Sequence, residues 1–136
     1  WGWRSTRAMI CGFPSVVTLQ VVLGAGRPEE GRHQWRPFHD SNAVAGHGFV
    51  GAVPFLTAAA MTQNRPLKAL FFVGSFWTCW ARVHTDAHYL SQAVLGWSIA
   101  YLAVDAVNQT NQERRRWQLV PVEVERGTGV GVLVRY

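Results

Sequence analysis

Residues 88–107 read HYLSQAVLGWSIAYLAVDAV, an apolar run long enough for a buried or membrane-spanning helix. Three further apolar segments lie upstream, at residues 8–26, 43–61 and 69–81. The first, second and fourth segments approach the roughly 20 residues that a membrane span needs, whereas the third is short and rich in aromatic residues. We therefore predict an all-α fold, a helical bundle of about four long helices.

The C-terminal part of the chain changes character after the fourth apolar segment. The polar residues Asn108–Asn111 predict the end of the last helix, and the charged run Arg114–Arg116 follows them. Beyond that run, Val122–Glu125 alternates apolar and acidic residues, Gly127–Gly129 carries a turn signal, and a Val-rich run closes the chain. This pattern predicts a short C-terminal β-hairpin.

Size and composition limit the chain to one domain, because it has 136 residues, of which 49% are hydrophobic. We divide it into a helical core over residues 1–112, expected to be truncated at its N-terminus because the chain begins at Trp1, and a tail over residues 113–136 with a basic segment and the hairpin. The net charge of +5 comes from basic residues scattered among apolar runs, so we predict no nucleic-acid partner. Cys11 and Cys79 lie inside apolar runs and are expected to be inert buried thiols.

Charged residues between the apolar segments predict which helix ends share a side. If the chain crosses a membrane four times, one side carries an excess of cations, namely Arg4, Arg7, Arg65, Lys68 and Arg114–Arg116. The other side carries the loop 27–42 and the turn 82–87, where acidic residues partly offset the arginines. Because the cation-rich side is usually cytoplasmic, we predict a bacterial-type inner-membrane protein whose other side faces the periplasm. The mean hydropathy of only +0.02 keeps a soluble periplasmic protein open as the alternative.

The residues that suggest chemistry all lie on the predicted periplasmic side. His88 opens the fourth apolar segment, where a helix N-terminus would favour anions, and it has Arg82 six residues before it and Gln92 one helical turn after it. His47 opens the second segment behind Gly46, whose backbone amide would allow close approach of an oxyanion. A lone histidine beside an apolar run is usually structural, but an arginine and an amide at fixed spacing favour a functional role for His88.

The order and spacing of these residues resemble the three-part signature of the PAP2 phosphatase and vanadium haloperoxidase superfamily. The family's motifs are Lys, six residues, Arg-Pro; then Pro-Ser-Gly-His; then Ser-Arg, five residues, His, three residues, Asp. In this sequence they read Gln20, six residues, Arg27-Pro28; Val44-Ala45-Gly46-His47; and Ala81-Arg82, five residues, His88, three residues, Gln92. The resemblance covers roughly residues 20–105, and three motifs in the correct order are far more specific than any one of them.

The resemblance implies a metal-independent phosphomonoesterase that needs no cofactor and acts through a phosphohistidine intermediate. If the apolar segments lie in a membrane, the implied partner is a lipid substrate, a phospholipid or isoprenoid phosphate or pyrophosphate. The implied roles are nucleophile for His88, proton donor and acceptor for His47, orientation of His88 for Gln92, and phosphate binding for Gln20, Arg27, Gly46 and Arg82. His33, His39 and His84 lie near the same side and are assigned no role.

Three of the departures from the family pattern matter most for chemistry. Gln20 stands where the family has a phosphate-binding Lys, Ala45 replaces a Ser hydroxyl, and Gln92 replaces the Asp that polarises the nucleophile. On these grounds an Asp at position 92 is expected to speed phosphorylation. Two alternatives stay open: a soluble periplasmic acid phosphatase or haloperoxidase-like enzyme, with vanadate as inhibitor or cofactor, and a catalytically inactive PAP2-like membrane or binding protein.

Overall fold

The computed structural model describes residues 1–31, 34–124 and 127–134, and in these residues five α-helices precede one antiparallel hairpin. The helices are α1 (Gly2–Leu23), α2 (Gly46–Met61), α3 (Arg65–Gly74), α4 (Trp77–His84) and α5 (Leu90–Arg116), and the strands are β1 (Trp117–Val124) and β2 (Gly127–Val134). A 3₁₀ turn, Pro28–Glu30, lies between α1 and α2. The predicted all-α bundle with a C-terminal hairpin is confirmed.

The core of the bundle lies where α5 packs against α1 and α2. Val16 of α1, Phe49 of α2 and Val104 of α5 are all buried there. Small residues bring the backbones close together, since a Cβ atom added to Gly12 would lie 2.7 Å from the Phe49 ring and 2.9 Å from the Ala103 Cβ atom. The three helices are therefore held by dense packing of small and large apolar residues.

The third apolar segment, predicted over residues 69–81, is divided between α3 and α4 by a break at Ser75. Helices often bend where Gly and Ser are adjacent, and Gly74 precedes Ser75 here. The buried Ser75 hydroxyl donates to the Phe72 carbonyl at 2.6 Å and accepts from the Trp97 indole N–H at 2.8 Å. The break thus ties the α3–α4 pair to α5.

The last helix continues to Arg116, so its predicted end at Asn108–Asn111 is wrong. Two polar side chains in this region accept or donate hydrogen bonds within α5 or to α1, which favours continuation of the helix. The Gln109 amide donates to Asp105 at 2.7 Å, and Asn111 accepts from Arg7 of α1 at 3.0 Å. The domain boundary predicted between residues 112 and 113 falls inside α5 and stays a prediction.

The two strands of the hairpin pair from Trp117 opposite Val134 to Val124 opposite Gly127. The hairpin is confirmed, but the turn predicted at Gly127–Gly129 is wrong, because these residues belong to β2. Residues 125–126, which connect the strands, lie outside the described part of the chain. Glycines in β2 make room for valines of β1, since a Cβ atom on Gly131 would lie 2.6 Å from Val122 Cγ2.

Opposite ends of the bundle carry different groups of charged residues. At one end, Arg4 and Arg7 of α1 approach asparagines of α5, and we call this the basal end. At the other end, the loop after α1 meets the turn after α4, where the Glu29 N–H donates to the Asp86 carbonyl at 3.2 Å. We call this the loop end, and it holds the loop 27–42 and the turn 82–87 that the sequence predicts to share a side.

Two helices in the described residues, α1 and α5, are long and apolar enough to cross a membrane, and α2 is a shorter apolar helix. α1 buries few of its large apolar side chains, and Ile10, Phe13, Val17 and Val21 are exposed. Apolar surface that is exposed in a contiguous patch is typical of contact with protein or lipid. Length and composition of these helices are therefore consistent with membrane association.

The close contact between α5 and the residues before α2 can be tested at Gly96. A Cβ atom there would lie 2.5 Å from the Ala45 carbonyl oxygen, and backbone atoms cannot move aside as a flexible side chain can. We expect Gly96→Ala to lower the free energy of unfolding by about 1–3 kcal/mol and to lower the midpoint of thermal unfolding. Gly2→Ala is the matched control, because nothing lies within 4 Å of a Cβ atom at Gly2. Equal midpoints for the two variants would contradict the contact.

Candidate active site

An open cleft of about 540 Å³ lies at the loop end of the bundle. Its lining includes residues from separate parts of the chain: Gln20 in the last turn of α1, Arg27 in the following loop, Gly46 and His47 at the start of α2, and His88 just before α5. Five of the predicted site residues therefore meet in one cleft. The apolar segments place them there because each residue lies in or next to the loop end of a helix.

His88 is 7% exposed and lies two residues before the start of α5. Its backbone N–H donates to the Arg82 carbonyl at 3.2 Å, which holds it on the turn that follows α4. Burial lowers the pKa of His88 below its usual 6.5, and the hydrogen bond to Gln92 opposes this effect. The pKa is lowered further by the positive charges of Arg27, Arg82 and His47. The neutral imidazole is thus favoured, and this is the form that acts as a nucleophile.

The Gln92 side chain determines which nitrogen of His88 carries the proton. Gln92 Oε1 lies 2.9 Å from His88 Nδ1 and accepts from the Tyr89 backbone N–H at 3.1 Å, while Gln92 Nε2 donates to the Gly26 carbonyl at 3.0 Å. Because a backbone N–H only donates and a backbone carbonyl only accepts, these two neighbours fix the orientation of the amide. His88 Nδ1 must then donate to Gln92, and His88 Nε2 keeps its lone pair. The contact predicted between these two side chains is present.

The segment that delivers Gly46 and His47 is held from two neighbouring helices. Gln20 Nε2 of α1 donates to the Val44 carbonyl at 2.8 Å, and the Ala45 N–H donates to the Gln92 backbone carbonyl of α5 at 3.0 Å. Val44 and Ala45 are fully buried. One N–H of Gln20 is therefore used to position this segment, which leaves its second N–H for a ligand. Phosphate binding by Gln20 stays a prediction.

Arg27 is oriented by two residues of its own loop. Its Nε donates to Asn42 Oδ1 at 2.9 Å, and a terminal nitrogen lies 3.1 Å from the Glu29 carboxylate. The side chains of Arg27 and Glu29 are 38% and 50% exposed, and such exposed pairs contribute only about 0–1 kcal/mol. A phosphate group can therefore replace Glu29, whereas Asn42 keeps the guanidinium in place. Asn42 also lines the cleft, and sequence analysis missed it because a single loop asparagine carries no signal.

Arg82 lies in the last turn of α4, and its charge acts on His88. It is not among the described residues that line the cleft. Its backbone carbonyl accepts from the N–H groups of Ala87 and His88, at 3.1 and 3.2 Å. Asp86 adopts a left-handed φ of 55° on the same turn, which reverses the chain between α4 and α5.

Neither of the other two described histidines lines the cleft. His39 and His84 are exposed, and His33 lies outside the described residues. In the described ranges, no group of three or more His, Cys, Asp and Glu residues is placed to hold a metal ion.

A helical bundle that gathers two histidines, an arginine and a backbone amide at one end is equipped to bind and transfer phosphoryl groups. The family model of the PAP2 superfamily matches residues 10–116, and the chain belongs to this superfamily. The membership predicted from three motifs is thus confirmed, and it suggests phosphatase or phosphoesterase-type activity. No curated protein and no solved structure matches the chain.

Proposed function

We propose that the protein is a phosphomonoesterase that forms a phosphohistidine intermediate on His88. The observation that carries this proposal is the orientation of the His88 ring. Its Nδ1–H group is directed at Gln92, which leaves the Nε2 lone pair for attack on phosphorus beside Arg27 and His47. The lowered pKa of His88 supports the same role, because it keeps that lone pair available near neutral pH.

In the first step, the nonbridging oxygens of the substrate are stabilised by Arg27 and the Gly46 amide, and the positive charge of Arg82, which also acts on His88, adds to this stabilisation. The Nε2 lone pair of His88 attacks phosphorus in line with the ester oxygen, so that a P–N bond forms while the P–O bond breaks. Protonated His47 gives its proton to the departing alkoxide, which leaves as a neutral alcohol.

In the second step, His47 removes a proton from a water molecule that attacks the phosphohistidine. The P–N bond breaks, its electron pair returns to His88 Nε2, and inorganic phosphate is released. Both histidines then have their starting protonation states. Neither step calls for a metal or cofactor in this proposal, because the arginines and the amide supply the charge stabilisation.

The apolar part of the cleft supports a lipid phosphate or pyrophosphate as substrate. Phe13 of α1 and Val50 of α2 line the cleft, and their side chains are 51% and 42% exposed. The polar site therefore opens onto the apolar surface of two neighbouring helices. Phe13 lies seven residues before Gln20, which is about 10 Å along the helix axis. This distance suits the first carbons of an acyl or isoprenoid chain whose headgroup lies at the histidines.

We further propose that α1 and α5 cross a bacterial-type inner membrane with the loop end in the periplasm. The exposed apolar side chains of α1 and the cations of the basal end support this orientation. α1 also contributes Gln20 to the cleft and Gly12 to the core. These contacts argue that α1 is a structural helix of the folded domain and not a signal segment that is removed.

Hydrolysis of a short-chain phosphatidate by the protein in detergent micelles, with a chelator present, tests the proposed function. We expect release of inorganic phosphate, inhibition by vanadate, and a higher kcat/KM than with p-nitrophenyl phosphate. Equal kcat/KM values for the lipid and the soluble substrate would favour a soluble-type acid phosphatase. No release from either substrate, with vanadate still bound, would identify a PAP2-like binding protein without turnover.

The His88 ring is expected to titrate below pH 6.5 in the free protein, because burial and nearby positive charges disfavour the imidazolium form. As the pH falls through this pKa, Nε2 gains a proton and loses its lone pair, so the lowered pKa extends activity to more acidic pH. NMR titration of ¹⁵N-labelled histidine measures the midpoint directly. Arg27→Gln removes one of these charges and should raise the midpoint.

Arg36→Gln is the matched control for this titration, since Arg36 is an exposed arginine of the same loop whose charge is not among those that act on His88. The Arg36 variant should leave the midpoint unchanged. A midpoint at or above 6.5, or equal shifts in both variants, would contradict the electrostatic environment described for His88.

A further inference from the structure

A second cavity, of about 220 Å³, lies at the basal end between α1, α2 and α5. Its polar lining residues are Arg4, Gln63, Asn108, Asn111 and Gln112. One guanidinium and four carboxamides thus line it, and the described lining residues include no carboxylate. We call it the basal cavity.

Two arginines of α1 orient two asparagines of α5 beside this cavity. An Arg4 nitrogen lies 3.5 Å from Asn108 Oδ1, and Arg7 donates to Asn111 Oδ1 at 3.0 Å. The two pairs are three residues apart on each helix and therefore lie on the same helix faces. Because the Oδ1 atoms face the arginines, the amide nitrogens are turned away from them. Asn111 Nδ2 is buried without a hydrogen-bond partner.

A buried hydroxyl group lies in the same region. Thr57 of α2 is 2% exposed, and its hydroxyl oxygen is buried and unpaired. It lines a narrow space of about 10 Å³ that shares Arg4 and Asn108 with the basal cavity. A buried polar group without a partner destabilises the folded state, and a space of this size admits at most a water molecule.

We propose that the basal cavity binds a phosphate-type oxyanion. Among the residues that line the basal cavity, the Asn111 amide nitrogen needs a partner and can donate, and Arg4 adds positive charge. A tetrahedral oxyanion accepts several hydrogen bonds and pairs well with a guanidinium. A cation would find no carboxylate among the described lining residues, and an apolar ligand would leave the donors unpaired. Free phosphate and the headgroup of an anionic phospholipid both offer this chemistry.

The basal cavity is separate from the cleft at the loop end. Arg4 lies sixteen residues before Gln20 on α1, which is about 24 Å along the helix axis. The acidic residue Asp105 lines a neighbouring cavity together with Lys68, and its carboxylate accepts from Gln109 at 2.7 Å. Because the basal cavity and the loop-end cleft are separated along α1, oxyanion binding at the basal end does not depend on the hydrolytic activity proposed for His88.

Asn111→Asp tests the ligand separately from the fold. An aspartate can still accept from Arg7, so the contact between α1 and α5 is kept, while the amide donor is replaced by a negatively charged oxygen. Asn64→Asp is the control, because it adds the same charge outside the cavity, at the N-cap of α3, where Asp caps as well as Asn. The measurement is the rise in thermal unfolding midpoint of the full chain. The probes are inorganic phosphate in detergent, and nanodiscs of phosphatidylglycerol compared with phosphatidylcholine.

We expect Asn111→Asp to weaken the apparent affinity at least tenfold for whichever probe stabilises the wild type, while Asn64→Asp matches the wild type. Phosphate binding in the loop-end cleft stabilises all three proteins equally and cancels in this comparison. A selective loss with inorganic phosphate supports binding of free phosphate, and a selective loss only in phosphatidylglycerol discs supports binding of a lipid headgroup. If both variants respond like the wild type to both probes, the proposal is overturned.

Discussion

Replacement of His88 by alanine is expected to abolish hydrolysis of lipid and soluble phosphate esters, with a loss on the order of 10⁴-fold or more in kcat. The reason is that the variant lacks the Nε2 lone pair that forms the P–N bond, and no other described histidine besides His47 lines the cleft. The stability of the protein-bound ³²P label in acid and in base distinguishes phosphohistidine from phosphoesters. The wild type should show base-stable, acid-labile label from ³²P-labelled substrate, and His88→Ala should show none.

His84→Ala is the matched control for this experiment. His84 is exposed, lies in the last turn of α4, and precedes His88 by four residues. The control should keep most of the activity and the label, because its ring does not line the cleft. Wild-type hydrolysis by the His88 variant would show that another group accepts the phosphoryl group, and the nucleophile assigned here would be wrong.

The location of the site was predictable because its residues mark the ends of apolar segments. Arg27 follows the first segment, and His47 and His88 open the second and fourth. When alternating segments pack side by side, every second connection falls at the same end of the bundle, so these residues converge. Arg27, His47 and His88 all line the cleft at the loop end, whereas Arg82, expected at the same end, does not.

Contacts between distant parts of the chain were not predictable in the same way. Asn42 orients Arg27 across 15 residues, and Gln92 bonds the Gly26 carbonyl across 66. Neither Asn42 nor Gly26 belongs to a periodic pattern, so nothing in the sequence distinguishes them from other loop residues. A long-range contact also explains why the end of α5 was predicted too early. Asn111 favours a helix end by local preference, but in the structure it accepts a hydrogen bond from Arg7 of another helix.

The Gly26 contact changes what is expected of an aspartate at position 92. From the sequence alone, a carboxylate there should stabilise the imidazolium charge that develops on His88 and so speed phosphorylation. In the structure, however, Gln92 acts on two sides: its Oε1 accepts from His88 and Tyr89, and its Nε2 donates to Gly26. Gln92 is 4% exposed, so a carboxylate here would place an oxygen against the Gly26 carbonyl without water to separate them. The amide thus links the nucleophile to the backbone that precedes Arg27.

We therefore expect Gln92→Asp to slow phosphorylation at every pH, by about tenfold or more, which corresponds to about 1.4 kcal/mol. Because aspartate is one methylene shorter than glutamine, its carboxylate lies farther from the His88 ring. The Gly26 carbonyl also loses its hydrogen-bond donor, which costs about 1–3 kcal/mol in a buried position. Gln92→Glu separates length from charge, because a glutamate reaches both partners but can donate to Gly26 only when it is protonated. Its rate relative to the wild type should improve as the pH falls, whereas that of Gln92→Asp should not. Single-turnover phosphorylation rates across pH, with ¹⁵N NMR of the His88 tautomer, measure both effects. A Gln92→Asp variant that is faster than the wild type, with the tautomer unchanged, would show that the carboxylate charge outweighs the Gly26 bond.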